Sequence, residues 1–153
     1  SLPDGLMIQV VDIPNRMVYD QFLVNGITID DKLTEGYDMK LVAGDQQYVE
    51  ETVLKILSEI PEVFSLSQNY PNPFNPLTKI DFSLPKTGRV VITIYNLLGQ
   101  EVTTLINQRL DYGYHTVTWQ GTDRMGRLVG SGVYFSELKA AGNRKTRKML
   151  LLK

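Results

Sequence analysis

Short segments in which apolar and polar residues alternate follow one another from residue 78 to the end of the 153-residue chain. In the first of them Ile80, Phe82 and Leu84 fall on one face, because successive side chains of a strand point to opposite sides. Six or seven such segments are separated by turns that contain glycine, and they leave no room for the helices that connect parallel strands. The pattern predicts an antiparallel β-sandwich over residues 78–153.

The alternation also predicts which side chains fill the sandwich. We expect Trp119, the single tryptophan of the chain, to be largely buried. Ala141-Gly142-Asn143 is typical of a tight hairpin turn between the last two strands. The predicted core includes the residues Ile80, Phe82, Val90, Ile92, Ile94, Val117, Trp119, Phe135 and Leu151.

A proline-rich segment, QNYPNPFNP, runs from Gln68 to Pro76. Proline fixes its own backbone and favours extended conformations in the residue before it, so the segment cannot join a helix or a central strand. The spacing of Pro73 and Pro76 also occurs in ligands that bind as polyproline helices, but the flanks lack a basic residue. We expect Tyr70 or Phe74 to pack on the sandwich, and residues 61–77 to form a stiff linker.

The first sixty residues predict a β-rich region with one short helix. Four segments are strand candidates: 6–13, 15–20, 26–31 and 37–45. The helix follows them in QQYVEETVLKILSEIP, where apolar residues recur at helical spacing until Pro61 ends the pattern. Too few strands are present to close a sandwich. We therefore interpret residues 1–60 as the C-terminal part of a preceding β-rich passenger domain, and the chain as a fragment of a longer protein.

Composition limits the classes of function. The net charge of −1 argues against nucleic acid, because binding to phosphates requires a basic surface. The chain has no cysteine, which excludes disulfides and thiolate chemistry. No apolar run approaches the roughly 20 residues that span a bilayer, so we expect no transmembrane segment.

The candidates for catalysis and metal binding are weak. His115 is the only histidine, and it falls in an alternating strand beside Val117 and Trp119 without a nucleophile elbow elsewhere. The neighbouring acids Asp30-Asp31 and Glu50-Glu51 are more typical of a solvated surface, and Asp123 is a single acid without the regular oxygen spacing of a calcium loop. We therefore expect no catalytic residues, no metal site and no cofactor.

The last predicted strand is basic. Its cations are Arg144, Lys145, Arg147 and Lys148, with Lys153 at the end of the chain. One interpretation is an edge strand that charge protects from aggregation, which the residues alone favour. The other is a recognition strand whose open backbone groups, from Thr146 to Leu152, pair with a partner strand.

Several motifs in order resemble the C-terminal sorting domain of proteins carried by the type IX (Por) secretion system. After the proline-rich segment come Tyr95-Asn96 with LGQEV, then HTVTW in a middle strand, GSGVY, and RKML in the last strand. The resemblance covers residues 63–153. The same pattern also resembles the immunoglobulin-like domain of the flagellar hook-cap protein.

This resemblance implies a non-catalytic immunoglobulin-like sandwich. Such a domain is implied to direct an attached passenger, exported through the periplasm, across the outer membrane to the cell surface or the medium. The implied partners are an outer-membrane receptor or translocon and a sortase-like protease. The implied sorting and recognition residues are Gly132, Tyr134, Arg147, Lys148, Met149 and Lys153. The implied hinge between passenger and sorting domain consists of Asn69, Tyr70, Pro71, Pro73, Phe74 and Pro76.

Two other classes of function stay open on the sequence. One is a structural or adhesive immunoglobulin-like module, of the hook-cap or carbohydrate-binding kind. The other is the tail of a secreted hydrolase, in which residues 1–60 would contribute to the catalytic site. The first sixty residues contain neither histidine nor cysteine, which gives that alternative little support.

Overall fold

The computed structural model describes residues 5–20 and 38–153 of the chain. The chain divides into two compact units, Ser1–Ile60 and Pro61–Lys153. Each unit has its own strands and its own buried residues, and we describe them separately.

The first unit contains a three-stranded antiparallel sheet. Strands β1 (Met7–Asp12), β2 (Met17–Asp20) and β3 (Met39–Gly44) lie in the order β2-β1-β3. The β-branched residues Val11 of β1 and Val42 of β3 are buried. Three of the four predicted strands are thereby confirmed, and the fourth, at 26–31, lies outside the described residues.

One helix, α1 (Gln46–Glu59), follows β3 directly. The carboxylate of Asp45 accepts a hydrogen bond from the backbone N–H of Tyr48 at 2.8 Å, which satisfies one of the free donors at the start of the helix. Val49 and Val53 are the buried residues of its apolar face. The predicted short amphipathic helix is confirmed, and it ends where Pro61 disfavours a helical conformation of the residue before it.

The second unit is a sandwich of two antiparallel sheets. One sheet has the order β4-β5-β8 and the other the order β10-β9-β6-β7. The strands are β4 (Ser65–Leu66), β5 (Thr78–Leu84), β6 (Gly88–Asn96), β7 (Glu101–Leu110), β8 (Gly113–Trp119), β9 (Gly132–Ala140) and β10 (Asn143–Leu151).

This division of strands is similar to that of a seven-stranded immunoglobulin domain, except that the fourth strand lies in the sheet of the third, sixth and seventh strands. The first, second and fifth strands of the unit form one sheet, while the third, fourth, sixth and seventh form the other. Their inward-facing side chains form one apolar cluster to which both sheets contribute. The predicted fold class, a mainly β chain with an antiparallel immunoglobulin-like sandwich and a short helix before it, is confirmed.

Most of the predicted core is buried. Seven of the nine predicted residues are at most 2% exposed: Ile80, Phe82, Val90, Ile92, Ile94, Trp119 and Leu151. Val117 packs against the same cluster but is only partly buried.

The prediction for Phe135 was wrong. On β9 the buried residues are Tyr134, Ser136, Leu138 and Ala140, so Phe135 points to the opposite face of the sheet. The sequence GVYFS contains two adjacent aromatic residues, and alternation alone does not say which of them faces inward. Packing decided it, because the ring of Tyr134 fills the space beside Trp119.

The predicted hairpin between the last two strands is present. Ala141 and Gly142 both have positive φ angles, 46° and 75°, as a two-residue hairpin turn of the favoured twist requires. Asn143 then pairs with Ala140, and the register continues without a shift to Leu151 opposite Gly132.

The residues predicted to form a linker belong largely to the second unit. Within 61–77, the short strand β4 pairs with β5, with Leu66 opposite Phe82. Leu66 is 1% exposed and joins the core of the sandwich. The sandwich therefore begins before residue 78, because an apolar residue ahead of the proline-rich segment supplies part of its core.

We predict that truncating a buried side chain of the larger sheet destabilises the sandwich. Leu138 is fully buried, so Leu138→Ala should lower the free energy of unfolding by about 2–5 kcal/mol. Because Trp119 is the single tryptophan, its fluorescence during urea denaturation reports on this unit. Leu128→Ala is the matched control, since Leu128 is 61% exposed and its truncation should change stability by no more than about 0.5 kcal/mol. Equal effects of the two changes would contradict the assigned core.

Candidate recognition surface on the last strand

Strand β10 forms one edge of the four-stranded sheet and pairs only with β9 among the described strands. Met149 and Leu151 point inward and are completely buried, whereas residues 143–148 are all exposed. The last strand thus has an anchored end and a solvent-exposed basic end. In an antiparallel pair, every second residue directs its backbone N–H and C=O away from the partner strand.

The proline-rich segment Gln68–Pro76 covers the anchored end of that edge. The backbone N–H of Phe74 donates to the carbonyl of Leu150 at 3.0 Å, and the carbonyl of Phe74 accepts from the N–H of Leu152 at 3.0 Å. Two side-chain amides complete the cover. Asn72 Oδ1 accepts from the N–H of Leu150 at 2.9 Å, and Gln68 Nε2 donates to the carbonyl of Lys148 at 2.8 Å.

These contacts correct the expectation of an open last strand. The carbonyl of Lys148, the N–H and carbonyl of Leu150 and the N–H of Leu152 are already bonded to the proline-rich segment, so a partner strand cannot pair with these groups unless the segment leaves. The segment does not reach Thr146, whose outward groups no described residue pairs. The proline pattern does not predict this cover, because prolines lack N–H donors; the side chains of Gln68 and Asn72 and the backbone of Phe74 supply the contacts instead.

Phe74 anchors the segment in the core. It is 1% exposed, and its ring lies 5.4 Å from that of Trp119, which in turn contacts Tyr134 edge-on at 5.1 Å. The indole N–H of Trp119 donates to the carbonyl of Thr122 at 2.9 Å, so its polar atom is satisfied. The expectation that one of the two aromatic residues packs on the sandwich is confirmed for Phe74, while Tyr70 is 80% exposed.

The predicted hinge residues are fixed to the second unit. Asn69 is buried and donates from Nδ2 to the hydroxyl of Thr78 at 2.9 Å and to the carbonyl of Pro71 at 3.0 Å. The backbone of Tyr70 exchanges two hydrogen bonds with Lys79, both at 2.9 Å. The peptide bonds before Pro71 and Pro73 are cis. These contacts hold the segment on the second unit.

The close approach of Pro76 to the sandwich depends on a glycine. Gly121 has a φ of 64°, and a Cβ placed there would lie 3.2 Å from the carbonyl oxygen of Pro76. Gly121, Gln68 and Asn72 all help to hold the segment, and none of them is among the predicted hinge or recognition residues. In the sequence, Gly121 is recognisable only as a glycine in a turn, and Gln68 and Asn72 only as amides within the proline-rich segment.

Two of the predicted recognition residues have structural contacts inside the sandwich. Tyr134 is 8% exposed, and its hydroxyl donates to the carbonyl of Gly130 at 2.8 Å, the arrangement called a tyrosine corner. Burial raises the pKa of this hydroxyl. Met149 is completely buried. Their side chains are therefore not available to a partner while the domain is folded.

Among the other predicted recognition residues, the exposed ones are basic. Arg147 donates from Nε to the carbonyl of Leu66 at 2.9 Å and so connects β10 to the smaller sheet. The side chains of Lys148 and Lys153 are exposed. The backbone N–H of Lys153 donates to Ser131 Oγ at 3.0 Å, and Gly132 pairs with Leu151. The GSGVY motif therefore holds the end of the last strand.

The other acids and the histidine have local partners. His115 stacks on Phe82 at 5.2 Å, and its Nε2 lies 2.8 Å from the carbonyl oxygen of Asp111. Glu50 and Glu51 accept hydrogen bonds from glutamines one turn earlier on α1, at 2.8 and 3.0 Å. The pair Asp30-Asp31 lies outside the described residues.

Asp123 closes the loop between β8 and β9. Its carboxylate accepts hydrogen bonds from the backbone N–H groups of Arg127, at 3.0 Å, and Met125, at 2.8 Å, and from the Arg127 guanidinium. The backbone hydrogen bond from Arg127 is the largest cause that lowers the pKa of Asp123. Among residues 5–20 and 38–153, no three potential metal ligands lie together.

The family model of the secretion system C-terminal sorting domain matches residues 68–152. The match covers more than half of the chain. It begins at the first residue of the proline-rich segment and includes the whole of β10. The proline-rich segment and β10, which are hydrogen-bonded to each other in the structure, are therefore both within the residues that the family model matches. No curated protein sequence matches the chain.

Three solved structures resemble the chain at low identity. PorZ, a surface component of the type-IX secretion system of Porphyromonas gingivalis, is 16% identical, with a TM-score of 0.40 over 59% of this chain and 11% of PorZ. FlgD from P. aeruginosa is 23% identical, with a TM-score of 0.40 over 48% of this chain and 58% of FlgD. Dimeric latent PorU from Porphyromonas gingivalis is 17% identical, with a TM-score of 0.47 over 99% of this chain and 13% of PorU.

The chain spans only 11% to 58% of the length of these three proteins. At such identities and TM-scores no functional residue is transferred from them. The family match alone confirms the predicted resemblance to secretion-system sorting domains.

We predict that hydrogen exchange distinguishes the two parts of the β10 edge. The amides of Leu150 and Leu152 should exchange slowly, because both donate to the proline-rich segment, and the amide of Thr146 should exchange faster. Asn72→Ala should accelerate exchange at Leu150 and lower the free energy of unfolding by about 0.5–1.5 kcal/mol. Residue-resolved exchange measured by NMR checks this. Asn75→Ala, at an exposed position of the same segment, should leave the Leu150 amide unchanged.

We also predict that Asp123 makes the sandwich sensitive to acid. Because its pKa is lowered in the folded chain, its stabilisation is complete above the ordinary aspartate pKa of about 3.9 and is lost as pH falls through the lower folded value. The urea midpoint followed by Trp119 fluorescence should fall more steeply with acid in the native chain than in Asp123→Asn. Asp111→Asn serves as control, since Asp111 is an exposed acid of a different turn. If the urea midpoint depended equally weakly on pH in Asp123→Asn and Asp111→Asn, the assignment of this acid sensitivity to Asp123 would be contradicted.

Proposed function

Since the chain belongs to the family of secretion system C-terminal sorting domains, we propose that its second unit directs an attached passenger across the outer membrane through the type IX secretion system. Domains of this family are not catalytic. A type IX signal implies export and a secreted or cell-surface location. In the described part of the chain, no helix has the length and apolar character that a bilayer-spanning segment requires.

The observation that carries this proposal is the family match over residues 68–152. The geometry supports it in one respect. The matched motifs at both ends of this range, the proline-rich segment and the last strand, are bonded to each other. A receptor would therefore meet them as one folded surface at an edge of the sandwich. Recognition is by exposed side chains on this surface, above all Lys148 and Lys153.

The proposed partners are an outer-membrane receptor or translocon and a sortase-like protease. We place the protease cut upstream of Gln68, because the residues from there onward are held in the sandwich by backbone hydrogen bonds. Residues 1–60 are proposed to be the end of the passenger. The hinge is proposed to precede the sandwich rather than to include the proline-rich segment.

Export of a reporter tests the proposal. An inert reporter with an ordinary export signal, fused to the N-terminus of the 153-residue chain, should reach the cell surface in a host with a type IX system. Lys148→Glu with Lys153→Glu should reduce surface display at least about tenfold while the sandwich stays folded, because exposed substitutions usually change stability by no more than about 0.5 kcal/mol. Antibody labelling of intact cells measures display.

The matched control carries the same change of charge on the other sheet. Lys79→Glu with Lys86→Glu alters two exposed residues in and after β5, and it should leave display intact. Deletion of Lys148–Lys153 is a poorer test, because it also removes the buried Met149 and Leu151. If the reporter that carries both charge reversals on the last strand still reaches the surface, the domain is better described as a structural or adhesive module.

A further inference from the structure

The near-neutral chain separates its charge between the two units. The first unit has eleven Asp and Glu against four Lys and Arg, a net charge of −7. The second has six Asp and Glu against twelve Lys and Arg, a net charge of +6. Although the whole chain has a net charge of −1, the sandwich is therefore basic. The positions of its cations on the sheets decide whether they form one surface.

Four exposed cations lie on the outer face of the four-stranded sheet, at the end where the hairpin joins β9 to β10. On β6, Val90, Ile92 and Ile94 face the core, so Arg89 and Val91 face outward. Partners in the register share a face. Arg89 is opposite Arg109, Val91 is opposite Lys139, and Lys139 is opposite Arg144. We call this surface the basic face; its cations are Arg89, Arg109, Lys139 and Arg144.

Several of these cations are held in place by neighbouring polar groups. Glu137 accepts from Lys139 Nζ at 2.6 Å and from Arg144 Nη1 at 3.5 Å, and the hydroxyl of Tyr95 donates to it at 3.3 Å. The hydrogen bond from Lys139 to Glu137 raises the pKa of that lysine, which keeps it charged. Arg89 donates from Nη2 to Asn107 Oδ1 at 2.9 Å. Two of the four cations, Lys139 and Arg144, thus share the carboxylate of Glu137.

The face also has a shallow depression. It lies where β6 begins and the hairpin joins β9 to β10, and three of the cations, Arg89, Lys139 and Arg144, line it together with Val91 and the turn residues. Positive groups from three different strands therefore converge at one concave place. Such convergence is the arrangement that a phosphate group requires.

We propose that the basic face docks the sandwich on an anionic phospholipid surface, with a headgroup phosphate in the depression. Neighbouring strands lie about 4.8 Å apart, so four strands distribute the cations over roughly 15 Å, the scale of several headgroups rather than of one small anion. Each Lys or Arg near an anionic bilayer contributes about 1 kcal/mol without needing a fixed partner geometry. This inference goes beyond the proposed function and names a surface other than the end of the last strand.

Vesicle binding tests the inference on the full 153-residue chain. The chain should sediment with vesicles that contain phosphatidylglycerol and not with vesicles of phosphatidylcholine alone, and added salt should release it. Arg89→Gln with Arg144→Gln removes two cations of the depression and should weaken binding about thirtyfold, the factor that about 2 kcal/mol gives. Trp119 fluorescence in urea confirms that the variant is folded.

A control variant that loses the same number of positive charges distinguishes the effect of their position from the effect of net charge. Lys79→Gln with Lys86→Gln removes two exposed cations from another part of the sandwich and should leave vesicle binding nearly unchanged. Equal losses in both variants would overturn the proposal. So would displacement by millimolar-scale inorganic phosphate alone, which would indicate a free-anion site, or equally tight binding to a DNA oligonucleotide, which would indicate a general polyanion surface.

The export assay distinguishes this inference from the proposed function. If the Arg89 and Arg144 variant loses vesicle binding and its reporter still reaches the surface, membrane docking and sorting are separate properties. If the reporter with the Lys148 and Lys153 changes is not displayed while the native chain fails to bind vesicles, sorting stands and the docking proposal is wrong.

Discussion

The edge of the last strand is the constraint on which the second unit depends. An edge strand leaves a row of backbone donors and acceptors unpaired, and such a row is either covered or available for pairing with another chain. Here it is covered from Lys148 to Leu152 by two backbone hydrogen bonds of Phe74 and by the side-chain amides of Gln68 and Asn72. Prolines between these residues supply an extended backbone that does not compete for the same partners.

The same segment also completes the core. Phe74, Trp119 and Tyr134 form a continuous aromatic contact from the proline-rich segment, through β8, to the start of β9. The tyrosine hydroxyl and the Ser131 hydroxyl then bind backbone groups in the GSGVY motif and at the end of the chain. Motifs that are far apart in the sequence are therefore parts of one structural unit, which explains why the proline-rich segment and the last strand lie together within a sorting domain.

The placement of charge connects this architecture to function. Buried Met149 and Leu151 fix the end of β10, while the exposed residues of the same strand are mainly basic. Recognition at the end of the strand and docking through the basic face are centred on different cations, since Lys153 lies at the chain end and Arg89 and Arg144 line the depression beside the hairpin. The two proposals can therefore fail independently.

The sequence by itself determined the strands, the helix and the family. Alternation is a local property, so the predicted succession of short antiparallel strands is present, and seven of the nine predicted core residues are buried. Only the tertiary structure decided which of Tyr134 and Phe135 faces inward, because adjacent residues of a strand face opposite sides, both rings satisfy the local pattern, and it is the ring of Tyr134 that contacts Trp119. It alone decided that the last edge is covered, since the hydrogen bond from the Leu150 amide to Asn72 joins residues 78 positions apart, and no periodicity encodes a contact at that separation.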